Sequence, residues 1–124
     1  MNVVDSSGWL EYFGKGVNRQ LFAPIIQNTV ELIVPTICIY EVFKRIVIQH
    51  GEEDALKVIG WMSLGKVVDL NQEIALHAAN LSIHHRLPMA DSMILATALT
   101  NNAVLWTQDE HFAGLDNVQF IQKG

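Results

Sequence analysis

The sequence is poor in the features that mark several special classes of protein. Its 124 residues include 1 cysteine, which excludes an internal disulfide framework and fits a reducing cytosol. Charged residues make up 17% of the chain and hydrophobic residues 50%, a balance that excludes a disordered tail or a coiled coil. The apolar run from Leu32 to Tyr40 is too short to cross a membrane.

An export signal is also missing, because the first residues show neither a basic segment nor an apolar core. We therefore expect a soluble, cytoplasmic protein that does not associate with a membrane. With about 150 residues in a typical domain, the chain has room for one, and we predict a single domain over residues 1–124. A chain of this size buries roughly two-thirds of its unfolded surface, which is enough for a real core.

The chain lacks a basic excess. It has 8 Lys and Arg residues against 13 Asp and Glu residues, which gives a net charge of −5. This balance argues against a passive nucleic-acid binder, since such proteins usually carry more basic than acidic residues. An enzyme that meets phosphate through metal ions bound to its own acids is still possible.

Short β-branched runs alternate with longer helical stretches along the chain, which predicts an α/β fold. Strands are predicted at residues 3–4, 31–34, 66–70, 103–106 and 118–121. Helices are predicted through Trp9, Leu10 and Phe13, and over 18–27, 36–50, 52–64, 72–86, 89–101 and 109–115. This alternation predicts a parallel sheet with helices on both faces.

Acidic residues lie where the predicted strands end. In an open parallel sheet, ligands bind beyond the carboxyl ends of the strands, near the point where strand order reverses. Asp5 ends the first strand, Asp109 follows the fourth, Asp91 opens the helix before the fourth, and Glu41 lies in the helix after the second. We expect these acids to converge, although Asp5 and Asp109 could simply cap helices and Asp91 could complement a helix dipole.

Glu41 lies in a helix that is apolar nearly all round, as expected of a buried element. An unpaired carboxylate there is costly, so Glu41 needs a partner. That partner is either Lys44 or Arg45 at helical spacing, or a metal ion.

Together the acids predict a cation site. Crowded carboxylates repel one another, so their pKa values spread unless a divalent cation neutralises them. Ligation by oxygen alone suits Mg²⁺ or Mn²⁺. Sites of this kind hold one or two ions, activate a water and stabilise the charge of a phosphodiester transition state.

Four segments, in order and at matching spacing, resemble the motifs of the PIN-domain nucleases. They are VVDSS at 3–7, PTICIYEV at 35–42, LPMADSMILA at 87–96 and TQDEHF at 107–112, the last a T-x-D-x-H-F pattern. Length and layout most resemble the VapC-type toxins of type II toxin–antitoxin modules. The resemblance implies a three-layer PIN-like fold with a five-stranded, mainly parallel sheet in the order 3-2-1-4-5, so that the first and fourth strands are neighbours.

The resemblance also implies an activity and partners. These are a Mg²⁺- or Mn²⁺-dependent endoribonuclease that hydrolyses phosphodiester bonds of structured RNA such as tRNA or rRNA, a homodimer, and a cognate antitoxin that inhibits it. In this family a groove near the early helices receives an apolar segment of the antitoxin. The mean hydropathy of +0.23 is high for a small soluble monomer, which favours a covered surface. Most of the aromatic area of the early helices, including Trp9 and Phe22, is nevertheless expected in the core.

Residue roles follow from the same resemblance. The implied catalytic and metal-holding residues, acting directly or through water, are Asp5, Glu41, Asp91 and Asp109. The hydroxyls of Ser6 and Thr107 would orient these acids. Lys44 and Arg45, one turn from Glu41, are candidate phosphate contacts, with ordinary solvated side chains as the alternative.

The fourth motif contains one departure from the family. Many relatives carry a basic or neutral residue between Asp109 and His111, where this chain has Glu110. The extra negative charge either adds a ligand or weakens the attraction for RNA. His111 is expected to anchor the short helix rather than to act in acid–base chemistry.

Three other functions compete with a toxin nuclease. One is a PIN nuclease that acts in RNA maturation without an antitoxin. Another is a non-catalytic, receiver-like Mg²⁺-binding module, but that class has an acid pair after its first strand, where this chain has only Asp5, and a central aspartate after the third. Here Asp69 is followed by Leu70 and a helix cap, and the late strand-end lysine of receivers is missing. A catalytically dead binding domain is disfavoured because all four acids are present.

Overall fold

The computed structural model describes residues 1–124. The strands are β1 Asn2–Val4, β2 Leu32–Pro35, β3 Lys66–Val68, β4 Val104–Thr107 and β5 Val118–Phe120. The helices are α1 Ser6–Phe13, α2 Arg19–Gln27, α3 Thr36–His50, α4 Glu52–Met62, α5 Gln72–His85 and α6 Met89–Thr100. Two short 3₁₀ turns cover Thr29–Glu31 and Glu110–Phe112.

The strands form one 5-stranded sheet in the order β3-β2-β1-β4-β5. Every neighbouring pair is parallel, so the predicted architecture and strand order are confirmed. This order differs from the 2-1-3-4-5 order of the flavodoxin-like fold, which receiver modules share. The receiver-type alternative therefore loses its support.

Both faces of the sheet are covered. Val3 and Val4 are neighbours on β1 and point to opposite faces, yet both are 0% exposed. Across the sheet, β2 and β3 are added on one side of β1, and the chain then crosses back to place β4 on the other side of β1. Because parallel crossovers are right-handed, this reversal places α1–α4 on one face and α5–α6 on the other. The reversal leaves a crevice at the carboxyl ends of β1 and β4.

The main core contains 20 buried hydrophobic residues, which come from the sheet and from helices on both of its faces. Trp9 and Phe22 are 0% exposed, which confirms that most of the early aromatic area is core. Trp9 also stacks on Phe13, with ring centroids 5.8 Å apart. Cys38 is a free, buried cysteine. A membrane-crossing helix is absent, since none combines the necessary length and hydrophobicity.

The predicted burial of α3 is wrong. One face of the helix is in the core through Cys38, Val42 and Ile46, but Tyr40 is 59% exposed and Ile48 is 73% exposed. Apolar residues therefore occupy solvent-facing positions of α3, and periodicity could not distinguish an exposed apolar surface from a core contact. Glu41 is half-buried, not enclosed.

Two predicted elements are shorter than expected. The helix predicted over 109–115 is only the 3₁₀ turn Glu110–Phe112, and Gly114 beyond it has a φ of 81°, which is not helical. The strand predicted over 66–70 ends at Val68. Beyond it, the Leu70 N–H donates to Thr36 Oγ1 at 3.3 Å instead of continuing the ladder.

Candidate active site

The Asp5 carboxylate lies where β1 meets α1 and is 2% exposed. Its Oδ1 accepts hydrogen bonds from the Gly8 N–H at 3.0 Å and from Ser7 Oγ at 2.7 Å. Its Oδ2 accepts from Thr107 Oγ1 at 2.7 Å. Asp5 therefore caps α1, as the simpler explanation predicted, and it is also turned towards the end of β4.

Burial dominates the acidity of Asp5. Loss of solvent raises the pKa of its carboxyl group from 3.8 to about 6. The hydrogen bonds from Thr107, Ser7 and Gly8 work against this rise, and the charge of Asp109 adds to it. No Lys or Arg side chain pairs with the Asp5 carboxylate. A buried acid without a cationic partner favours a bound cation.

The Thr107 hydroxyl links the acids at the ends of β1 and β4. Thr107 is 0% exposed, donates to Asp5, and accepts the N–H of Asp109 at 2.9 Å. Asp109 Oδ1 in turn accepts the N–H of His111 at 2.9 Å, so Asp109 caps the following 3₁₀ turn. Thr107 therefore contacts both Asp5 and Asp109, the acids that end β1 and follow β4.

Asp91 and Asp109 meet at His111. Asp91 lies in the first turn of α6, and its Oδ2 is 2.8 Å from His111 Nδ1. The same nitrogen is 3.2 Å from Asp109 Oδ1. One ligand atom from each of the three residues lies within 4.8 Å of the others. Asp5 and Glu41 are not part of this group of three.

Two pKa values are shifted in this group. Burial raises the pKa of Asp91, while its hydrogen bond with His111 works in the opposite direction. The hydrogen bond with Asp91 raises the pKa of His111, and the charge of Asp109 adds to the rise. The contact of His111 with the acids was not predicted. The Asp109-x-His111 spacing was the available signal, because an aspartate in a turn often accepts the N–H two residues on, as Asp109 does from His111.

Glu41 finds its partner on α1, not on its own helix. Its Oε1 accepts a hydrogen bond from Ser6 Oγ at 2.6 Å. Of the two alternatives for its partner, the ion pair with Lys44 or Arg45 does not form, since the ion pairs in the structure join the N-terminal amine to Glu31 and His111 to two acids. The charge of Glu41 helps to raise the pKa of Asp91, so its carboxylate belongs to the electrostatic environment of the site.

Lys44 and Arg45 border the site from α3. With Ser6 and Glu41 they line a cavity of about 310 Å³. Arg45 also lines a larger cavity of about 670 Å³ whose wall includes Ser7. Both basic side chains are exposed and form no ion pair, so both are available to an anionic ligand.

The chemistry of the donor set fits a hard divalent cation. Carboxylates from β1, α3, α6 and the end of β4 lie at one edge of the sheet, and burial raises the pKa of two of them. Oxygen ligands with a single histidine nearby suit Mg²⁺ or Mn²⁺ better than softer metals. The site also lies at the reversal of strand order, where ligands bind in open α/β sheets.

A second surface feature is an apolar groove of about 480 Å³ between the early helices and the end of α4. Its apolar wall is Tyr12, Phe13, Ile26, Trp61 and Leu64, and its basic residues are Lys15 and Arg19. Trp61 is 65% exposed and Leu64 is 61% exposed. A groove near the early helices was predicted, but the contribution of the α4 end was not.

The PIN domain family matches residues 3–118 of this chain. A toxin–antitoxin complex from Klebsiella pneumoniae contains a similar fold, with a TM-score of 0.82, 21% identity and 100% of both chains covered. VapBC2 from Rickettsia felis, bound to a DNA fragment from its promoter, has a TM-score of 0.75 and 13% identity, with 98% of this chain and 97% of that chain covered. VapC20 from Mycobacterium tuberculosis, a Sarcin-Ricin loop cleaving toxin, has a TM-score of 0.72 and 15% identity, with 95% of this chain and 98% of that chain covered. No curated protein matches the sequence.

Proposed function

Since this chain belongs to the PIN domain family, we propose that it is a metal-dependent endoribonuclease, the toxin of a toxin–antitoxin pair. Its substrate is structured RNA such as tRNA or rRNA, in which it hydrolyses phosphodiester bonds. The observation that carries the proposal is the convergence of acids at the reversal of strand order, where Thr107 bridges Asp5 and Asp109 and His111 bridges Asp109 and Asp91.

The proposed ligands of Mg²⁺ or Mn²⁺, directly or through water, are Asp5, Glu41, Asp91 and Asp109. When bound, such an ion activates a water and stabilises the charge that develops at phosphate. The protein's part is to hold the carboxylates in place: Ser6 fixes Glu41 and Thr107 fixes Asp5. Such hydrogen-bonded support is what keeps metal-holding carboxylates oriented.

Lys44 and Arg45 would contact the phosphates of the RNA next to the scissile bond. They border the site without ion-pair partners, and the overall charge of −5 offers RNA no general attraction. Binding should therefore depend on a few local contacts and be weak and sensitive to salt.

The apolar groove that contains Trp61 and Leu64 is the proposed site of the antitoxin. An apolar segment laid into it would cover side chains that are otherwise exposed. The similar structures include toxin–antitoxin complexes, which supports an antitoxin partner. The homodimer that the family resemblance implies is part of the same proposal. A small reading frame immediately upstream would encode this partner, and its absence would favour a nuclease of RNA maturation.

Expression in a bacterial host tests the proposal. We expect the wild-type protein to arrest growth and to produce new, discrete 5′ ends in tRNA or rRNA, because a toxin nuclease cuts the host's RNA. The Asp91→Asn variant should do neither. The matched control is Asp69→Asn, which changes an exposed acid at the end of β3. Growth arrest and cleavage by Asp91→Asn at the wild-type level would contradict the proposal.

A further inference from the structure

A cluster of polar side chains next to the acids has no role in the proposed chemistry. It consists of Glu11 on α1, Asn18 just before α2, and Gln108 between Thr107 and Asp109. Asn18 is 8% exposed and Gln108 is 7% exposed. Buried amides of this kind are costly unless their hydrogen bonds are satisfied, so their arrangement is informative.

The cluster holds the Gln108 amide in one orientation. Asn18 Nδ2 donates to Gln108 Oε1 at 3.0 Å and to the carbonyl oxygen of Gln122 at 2.9 Å. Gln108 Nε2 donates to Glu11 Oε1 at 3.3 Å. The other Glu11 oxygen accepts the N–H of Asn18 at 2.8 Å. Because donor and acceptor of Gln108 are both engaged, its side chain is clamped from two sides.

The clamp reaches the acids through the backbone of Gln108. Its N–H donates to Ser7 Oγ at 3.4 Å, and Ser7 Oγ donates to Asp5 Oδ1 at 2.7 Å. Gln108 also separates Thr107 from Asp109, so the position of its backbone sets the direction of both neighbours. Glu11, Gln108 and Ser7 line the same 670 Å³ cavity beside the site.

We propose that Gln108, clamped by Glu11 and Asn18, is a positioning residue that sets the placement of Asp109 and, through Ser7, of Asp5. The inference rests on the proposed nuclease function for its effect on cleavage. Its effect on the metal site is independent of that function. Polar groups that orient metal ligands are worth about 10- to 100-fold in metal affinity or activity.

Gly16 offers a way to open the clamp without changing any of its members. A Cβ at Gly16 would overlap the carboxyl group of Glu11. That carboxyl is the far end of a flexible side chain, so Gly16→Ala displaces Glu11 while the backbone stays in place. Gln108→Met removes the amide directly and keeps the length of the side chain.

The test compares Gln108→Met and Gly16→Ala with wild-type protein and two matched controls. Gln119→Met changes an exposed glutamine on β5, and Gly60→Ala changes a glycine with open space around it. The measurements are Mn²⁺ affinity by calorimetry, and the cleavage rate of total tRNA at saturating and at limiting RNA. We expect both clamp variants to bind Mn²⁺ about 10- to 100-fold more weakly and to lose a similar factor in saturating rate. The controls should match wild type in Mn²⁺ affinity and in cleavage rate.

Each outcome decides the question. Wild-type Mn²⁺ affinity in both clamp variants would overturn the positioning role, and if Gln108→Met fails to fold, Gly16→Ala alone decides. If wild-type protein binds Mn²⁺ but cuts no RNA, the proposed nuclease function fails while the Mn²⁺ affinities still test the clamp. If wild-type protein binds no Mn²⁺, the metal centre and this inference fail together.

Discussion

Among single residues, Asp5 shows most clearly that an acid of the candidate site can lower the stability of the fold. Its carboxylate is buried among hydrogen-bond donors that together do not offset the loss of solvent, so its pKa rises to about 6. In the unfolded chain this carboxyl group titrates near 3.8. The folded protein therefore binds the Asp5 proton more tightly than the unfolded chain does, and stability falls as pH rises from about 4 to about 6.

The Asp5→Asn variant should remove this pH dependence. A shift from 3.8 to about 6 corresponds to ~3 kcal/mol of lost stability at neutral pH, and asparagine does not titrate. In EDTA, the free energy of unfolding of Asp5→Asn relative to wild type should rise by ~1 kcal/mol between pH 5 and pH 8. Urea unfolding at the two pH values measures this. A constant difference would show that the Asp5 carboxylate is not destabilised by burial.

For single residues, the sequence predicted where the acids lie more fully than it predicted what they contact. Asp5 and Asp109 were predicted either as caps or as site acids, and they are caps that also face the site. The expected partner of Glu41 was either a metal ion or a basic residue on its own helix, because spacing along a helix is readable from sequence. The actual partner, Ser6, is on α1, and only the packing of α1 against α3 brings the two together.

At the scale of secondary structure elements, helix ends were predicted best where a specific residue type stops or starts the helix. Gly51 ends α3 with a φ of 91°, a conformation that favours glycine. The Asn71 side chain accepts the Ile74 N–H at 2.9 Å and caps α5. The short turn at 110–112 was predicted as a longer helix, because local pattern does not report the burial of Phe112 that holds the turn against the core.

Gly51, between α3 and α4, and Gly60, inside α4, should respond in opposite directions to the same substitution. Gly60 lies inside α4 with open space around it, so Gly60→Ala should stabilise the protein by roughly 0.5–1 kcal/mol. Gly51→Ala should destabilise it by a similar amount or more, since its positive φ strains any side chain. Thermal unfolding of the two variants measures both effects. A stabilising Gly51→Ala would show that α3 ends differently.

At the scale of the whole molecule, the alternation of strands and helices predicted a parallel sheet, while the strand order came from the family resemblance. The reversal between β3 and β4 depends on pairing between distant segments, which a local pattern does not encode. That reversal is what brings Asp5 beside Asp109. The sequence also could not predict which apolar side chains are exposed. Trp61, Tyr40 and Ile48 are of residue types common in cores, yet all three are exposed.

The charge distribution gives a prediction about RNA binding. Arg45 is exposed, unpaired and lines both cavities beside the acids. In an Asp91→Asn background, Arg45→Ala should weaken tRNA binding and reduce the slope of log affinity against log salt by about 1, because one phosphate contact is lost. Fluorescence anisotropy across a salt series measures the slope. The control is Lys57→Ala, at an exposed lysine on α4, which should leave the slope unchanged. An unchanged slope in Arg45→Ala would show that Arg45 does not contact the phosphates of the RNA.

The proposed function requires that the acids gathered at the ends of β1 and β4 support metal-dependent cleavage of RNA. The most direct measurement incubates purified, partner-free protein with total tRNA and rRNA, in Mg²⁺, in Mn²⁺ and in EDTA, beside Asp91→Asn and the Asp69→Asn control. We expect discrete fragments from wild type and Asp69→Asn only when metal is present, and none from Asp91→Asn. The same fragments in EDTA, or from Asp91→Asn at the wild-type rate, would contradict metal-dependent cleavage at this site.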